Sequence, residues 1–263
     1  MFKISNDFSV IENLSLAIRR QIIETSFAAK VGHIASELSI VDILSVLYGT
    51  GTIPTNDLVL SKGHAALTQY VAMDLLGLLP KNSPLANYCG DNTLLGVHPS
   101  HFLEGMLFST GSLGQGLSYA TGLMLARRIR KQSVVVIVIL SDAELNEGST
   151  WESIMFAGHH QIPMLAVVDV NGQQALGYTK DVLDLQPLAP KFAAFNWDVD
   201  ECDGHNVSEL LPLLTTLPRT RPHVILANTI AGKGVSFMEG KVAWHYLPLN
   251  EDQYIRAKEE LRN

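Results

Sequence analysis

Two short segments carry oxygen donors suited to a hard divalent cation. Ser141-Asp142-Ala143-Glu144 follows the apolar run Val134–Leu140, and Asp169-Val170-Asn171-Gly172-Gln173 follows the apolar run Met164–Val168. Asp142 and Asn171 stand 29 positions apart, about one strand–helix–strand crossover, so both can project from neighbouring strand ends into one crevice. A carboxylate oxygen with a carboxamide oxygen suits Mg²⁺ or Ca²⁺ better than zinc. Magnesium takes one or two carboxylates and fills the rest of its octahedron with phosphate oxygens. Spacing alone favours the plainer reading, in which Asp142 and Asn171 merely cap a helix and a turn. The chain has nine histidines, and any one of them taken singly is more often structural than chemical. Gly111-Ser-Leu113-Gly-Gln-Gly lacks the glycine spacing of a dinucleotide loop and follows a loop rather than a strand.

The surrounding pattern supplies elements to hold these residues. Ser9-Val-Ile-Glu12 reads as a capping box, opening a helix with Val10, Leu14, Ala17, Ile18 and Ile22 on one stripe. A second helix is expected over 39–48, a strand over 57–60 and a helix over 64–76. Residues 79–107 are rich in turn formers and read as a long functional loop. Helices are then expected over 114–130, 148–160 and 187–195, with strands at 134–140, 164–168, 197–201 and 223–228. Asn206-Val-Ser-Glu209 and Asn250 each read as a helix cap. Strands alternating with helices imply an α/β fold, a parallel sheet flanked by helices on both faces. Ligands of such sheets bind beyond the carboxyl ends of the strands, where Asp142 and Asn171 lie.

Composition narrows the partners. A net charge of −7 without a dense basic block argues against nucleic acid. The longest apolar run is of strand length, which argues against a membrane span, and MFKISNDFS offers no apolar signal segment. Cys89 and Cys202 form neither a disulfide framework nor a metal-type spacing, and read as inert thiols of a cytoplasmic protein.

Six stretches, in order, resemble the transketolase family of thiamine-diphosphate enzymes. SDAELNEGSTWESIMFAGHH is similar to the family's GDGELQEGxxWEA, and VVDVNGQQALG to its VDxNGxQxxG. LSKGHAALTQYVAM, GVHPSHFLEGMLFSTGSLGQGLSYATGLMLA, LQPLAPKFAAFNWDVDECDGHNVSEL and AGKGVSFMEGKVAWHYLPLNEDQY match four further family segments, so the likeness runs from about Gly32 to Tyr254. The resemblance implies that Asp142, Asn171 and the backbone carbonyl of Gln173 coordinate the magnesium that clamps the diphosphate. Gly111 and Leu113 align with the loop contacting the aminopyrimidine, and Ser141 and Ala143 flank the metal ligand. Glu147 and Glu152 align with acidic residues that link neighbouring sites and support the aminopyrimidine. His64 and His245 align with histidines near the diphosphate and reacting carbon, His33 and His98 with histidines that touch the sugar. The implied activity is transfer of a two-carbon ketol unit from a ketose or ketose phosphate to an aldehyde. Alternatives are a deoxyxylulose-phosphate-synthase-like or sugar-branching reaction, or a scaffold homologue that has lost the cofactor.

The departures are specific. The family's Gly-Asp-Gly is Ser141-Asp142-Ala143, its GHPGGS is Gly32-His33-Ile-Ala-Ser36, and its His-Gly is His245-Tyr246. Ala143 raises the question of whether that backbone needs glycine torsions. The changes around the sugar imply a specialised donor or acceptor. Residues 1–263 read as one thiamine-diphosphate (PP) domain with an N-terminal helical extension. The family's pyrimidine and C-terminal domains are then expected on a second transketolase subunit, in a two-plus-two heterotetramer.

Overall fold

The computed structural model describes residues 2–53, 57–217 and 220–262. Helices α1 (Phe8–Ala29), α2 (Ile34–Ser39) and α3 (Val41–Gly49) precede strand β1 (Leu58–Leu60) and helix α4 (Ala66–Leu75). After the long loop come α5 (Gly116–Ile129), β2 (Ile137–Ser141), α6 (Gly148–His159) and β3 (Leu165–Val170). A small hairpin of β4 (Gln173–Gln174) and β5 (Gly177–Tyr178) leads into α7 (Thr179–Val182) and α8 (Leu188–Ala194). The chain continues through β6 (Asp198–Asp203), α9 (Val207–Thr215), β7 (His223–Asn228) and α10 (Glu251–Glu260).

Five strands form one parallel sheet in the order β1-β2-β3-β7-β6. Strand side chains alternate between faces, which accounts for the unbroken apolar runs. Ile137, Ile139, Leu165, Val167 and Ile225 enter the core shared with α1, α3 and α4. Val138, Leu140, Ala166, Val168 and Val224 enter the opposite core, with Leu117 of α5 and Ile154 of α6. A sheet covered on both faces needs apolar residues at every position. Among the described residues no helix is long and apolar enough to cross a membrane.

The expected elements are present with shifted ends. The first helix is capped by Asp7 rather than Ser9. The Asp7 carboxylate accepts from the Ser9 N–H at 2.8 Å and from its hydroxyl at 2.7 Å. Ile11 of its first turns is completely buried and Val10 is half-buried. Asn206 caps α9 through the Ser208 N–H, but Glu209 reaches back to the Asp203 N–H, so that box is not closed. At Asn250 the box is complete with Gln253. The helix expected over 39–48 is α3, which starts two residues later at Val41, and the short α2 that precedes it was not expected.

Candidate active site

The carboxyl ends of β1, β2 and β3 open on a crevice of about 400 Å³. It is lined by His33, His64, His98, Gly111, Leu113, Ser141, Ala143, Glu147, Asn171, Gln173 and His245, all predicted from sequence, together with Tyr246 and others. Glu152 lies elsewhere, exposed on the outer side of α6. Asp142 is buried just behind the crevice wall and does not line it.

Each wall is set by a local turn. His33 caps α2 in the left-handed conformation, φ 68°. His64 sits in the 3-10 turn Gly63–Ala65 just past β1, and His245 ends the 3-10 turn Val242–His245. The three rings form a triangle: centroids are 5.6 Å apart for His33–His64, and 5.4 Å for both His33–His245 and His64–His245. Tyr246 places its ring edge-on against His33 at 5.2 Å and His245 at 4.9 Å. Gly63 lets the loop bearing His98 close in, because a Cβ there would meet Thr110 Oγ1 at 1.9 Å and His98 Cδ2 at 3.2 Å. Gly114, φ 82°, brings the glycine-rich loop against Glu147, whose Cβ would lie 2.6 Å from an added methyl.

Burial keeps these imidazoles neutral. It takes His64 well below the ordinary range, with Lys62 and the other histidines adding repulsion. Burial, then His33 and Lys62, brings His245 down to about 4. His33 is lowered by burial, then by His98 and Lys62, and His98 by burial. Neutral imidazole can both give and take a proton.

The strand tips of β2 and β3 are tied together. Asp142 Oδ2 accepts from the Gly172 N–H at 2.8 Å, Oδ1 from the Ala143 N–H at 2.9 Å, and the Asp142 N–H donates to the Asp169 carbonyl at 3.0 Å. Asp142 and Asn171 therefore share one turn. Ala143 is not among the described residues with positive φ, so its methyl costs no strain, and the torsional question raised by the sequence is resolved. Ser141 Oγ accepts from the Glu144 N–H at 3.2 Å and keeps its own hydrogen to donate.

Sequence reasoning missed the groups beneath the crevice. Lys62, fully buried, donates to Asp169 Oδ2 at 2.5 Å, to Ser39 Oγ at 2.8 Å and to the Ser36 carbonyl at 2.9 Å. Ser36 Oγ lies 3.4 Å from His245 Nδ1. Glu144 holds three chain segments, accepting from Ser61 Oγ, from the Gly114 N–H at 3.0 Å and from the Ser141 N–H at 3.4 Å. Burial nevertheless pushes its carboxyl up to about 7. The signal was present in the sequence. A charged Asp169 within a strand apolar on both faces, and Lys62 two residues past Leu58–Leu60, must be paired once buried.

The residues fit a diphosphate-bearing cofactor and its metal. His33 Nδ1 is buried without a hydrogen-bond partner among the described residues, and open space surrounds Gly111 and Gly172. The Asp142 carboxyl is pushed up to about 7, by burial and then by the neighbouring Asp169, a crowding of negative charge that a bound cation would relieve. Among the described residues no cluster of three His, Cys, Asp or Glu offers a cation site. A set of one carboxylate, one carboxamide and one backbone carbonyl is the oxygen chemistry magnesium accepts alongside phosphate.

Comparison with known proteins places the chain in a thiamine diphosphate family. Residues 12–262 match the family described as "Transketolase, thiamine diphosphate binding domain". The chain belongs to this family. It is 36% identical over 265 residues to the 6-deoxy-6-sulfo-D-fructose transketolase subunit of Clostridium sp. (strain MSTE9), covering 93% of each chain. It is 34% identical over 269 residues to an apulose-4-phosphate transketolase subunit of Actinobacillus succinogenes, covering 97% of each. The fold is that of transketolase from Campylobacter jejuni, with a TM-score of 0.88 at 24% identity, over 97% of this chain but 43% of that one. The chain thus spans less than half of that full-length transketolase while matching the subunit-sized relatives nearly end to end.

Proposed function

We propose that this chain is the thiamine-diphosphate- and magnesium-binding subunit of a two-chain transketolase, transferring a two-carbon ketol unit from a ketose or ketose phosphate to an aldehyde. The observation that carries the reading is the Asp142–Gly172 contact, which joins the two strand tips beside the triangle of neutral histidines. Asp142, Asn171 and the Gln173 carbonyl hold the magnesium, or calcium in its place. Ser141 offers its hydroxyl to a phosphate oxygen. Gly111 and Leu113 meet the aminopyrimidine, with Glu147 beside it and Glu152 facing a neighbouring subunit. Bound thiamine diphosphate supplies a carbanion centre able to break and remake a carbon–carbon bond beside a carbonyl. His33 and His98 bind the sugar hydroxyls, and His64 and His245 move protons near the reacting carbon. A neutral imidazole can take a hydroxyl proton and return it, which is general acid–base work near neutral pH.

A second chain carries the pyrimidine and C-terminal domains, and the assembly is a cytoplasmic heterotetramer of two copies of each. Near-complete coverage of relatives named as subunits supports this arrangement. The substrate is a specialised sugar. Support comes from relatives named for a sulfo-fructose and for apulose 4-phosphate, and from departures that cluster around the sugar, including Tyr246.

Calorimetric titration of thiamine diphosphate with Mg²⁺ into the chain and its co-purifying partner tests the reading, followed by product analysis with candidate ketoses and aldehydes. Saturable, metal-dependent binding and ketol transfer only in the complex are expected. No binding in the complex, or robust turnover by the chain alone, overturns it.

A further inference from the structure

Asp169 is fully buried at the end of β3 and does not line the crevice. Its Oδ2 nevertheless accepts from Lys62 Nζ at 2.5 Å, Ser39 Oγ at 2.8 Å and Asn171 Nδ2 at 2.8 Å, while Oδ1 accepts from Thr229 Oγ1. On its other side, Asn171 Oδ1 accepts from the Gln173 N–H at 2.9 Å. A backbone N–H can only donate and an ionised carboxylate can only accept. Both contacts therefore demand the same orientation of the carboxamide. Its nitrogen faces Asp169 and its oxygen faces the turn that Asp142 shares. The reversed amide would set oxygen against carboxylate and NH₂ against N–H.

We infer that Asp169 is a positioning residue for the cation site: it turns the Asn171 oxygen toward the metal, and through Ser39 and Lys62 it ties that orientation to helix α2, which carries Ser36 and is capped by His33. The inference rests on the reading of Asp142 and Asn171 as cation ligands. It gives the buried ion pair a task beyond stability. A pair serving only to hold the core could be exchanged for apolar side chains of similar size at little cost, with the site unaffected. A pair that orients a metal ligand could not, because outer partners of ligands typically contribute 10- to 100-fold in affinity.

The decisive background is Lys62→Met with Asp169→Val, which removes both buried charges and leaves neither unpaired. Mn²⁺ binding to the chain assembled with its co-purifying partner, in the presence of thiamine diphosphate, is read by electron paramagnetic resonance, with folding checked by circular dichroism. The dissociation constant for Mn²⁺ should rise roughly 10- to 100-fold. Adding Asn171→Asp to that background should recover most of the loss, because a carboxylate presents oxygen whichever way it turns. Parental affinity in the folded double variant, or a loss that Asn171→Asp does not restore, overturns the inference. Asn171→Asp in the otherwise parental chain gives a test independent of the double variant's folding. There the new carboxylate faces Asp169 and should weaken Mn²⁺ binding; parental or tighter binding overturns the inference. A parental complex of the chain with its partner that takes up no Mn²⁺ overturns the cation reading itself, and is recognised before any variant is made.

Discussion

Gly32 packs against the carbonyl of Tyr246 so closely that a Cβ would come within 2.1 Å of that oxygen. The obstacle is main chain, so no side-chain rotation relieves it. Through this contact the start of α2, with His33, is set against the turn that carries His245. Two walls of the crevice, more than two hundred residues apart in the chain, are thereby held at one spacing.

Gly32→Ala should therefore separate those walls. Overpacking of this kind costs about 1–3 kcal/mol. Ketol transfer by the assembled enzyme should fall further than the stability loss explains, because His33 and His245 move apart. Thermal unfolding and steady-state rates on the same preparation check this. A variant with parental rate would show that the His33–His245 spacing is not critical.

Asp142→Ala should leave the fold intact and remove metal-dependent cofactor binding. The side chain's bonds go to two backbone N–H groups at a partly buried turn, which water can replace. Affinity for thiamine diphosphate in the presence of Mg²⁺ should drop at least about 100-fold, beyond the cost of losing an outer partner. Calorimetry with a parallel far-ultraviolet spectrum reads both halves of the expectation, and binding equal to that of the parent would refute the metal assignment.

Away from the crevice, Asp42 binds Arg19 through two bonds of 3.0 and 2.5 Å, and His205 Nδ1 at 2.8 Å. Burial alone would raise its carboxyl, but Arg19 and His205 hold it down to about 2, below the usual 3.8. A depressed carboxyl stabilises the fold above its unfolded value, and that stability is lost as pH falls from 3.8 through about 2. Asp42→Asn should cost about 3–5 kcal/mol near neutrality, since it leaves a buried guanidinium without its counter-charge. Parent and variant should converge toward pH 2 in denaturant titrations; a gap that persists there would contradict the assignment.

Glu37 behaves in the opposite sense. Complete burial pushes its carboxyl up to about 8, only partly offset by Ser26, Lys62 and Tyr88. A raised carboxyl leaves stability intact below the usual 4.5 and removes it as pH rises through about 8. Glu37→Gln cannot ionise. Its melting temperature should gain on that of the parent by several degrees as pH rises across this interval. Melting curves that stay parallel would show that Glu37 does not titrate there.

Much of this molecule was legible in one dimension. The runs ending at Leu140 and Val168 predicted buried strands because each strand presents apolar side chains to two helical layers. The His223–Asn228 strand matches its predicted bounds, and Asn250 its predicted cap, because both depend on neighbours within a few residues. Residue spacing placed Asp142 and Asn171 on adjacent strand ends, and pairing of Ser141 with Asp169 at the tips of β2 and β3 bears this out. The helix start at Asp7 rather than Ser9 was not legible, since Asp7 and Ser9 are both good caps and the two starts leave the same apolar stripe.

The sequence by itself determined the sheet, its two apolar faces and the line of motifs that face the crevice, because periodicity and capping act over a few residues. Only the tertiary structure decided which distant groups meet. The histidine triangle draws on positions 33, 64 and 245, and Lys62 reaches Asp169 across 107 residues. Those meetings follow from the strand order and from glycines that allow close approach, of main chain at Gly32 and of the Thr110 and His98 side chains at Gly63. A buried charge announces that it needs a partner, but the partner's position depends on the folded path of the whole chain.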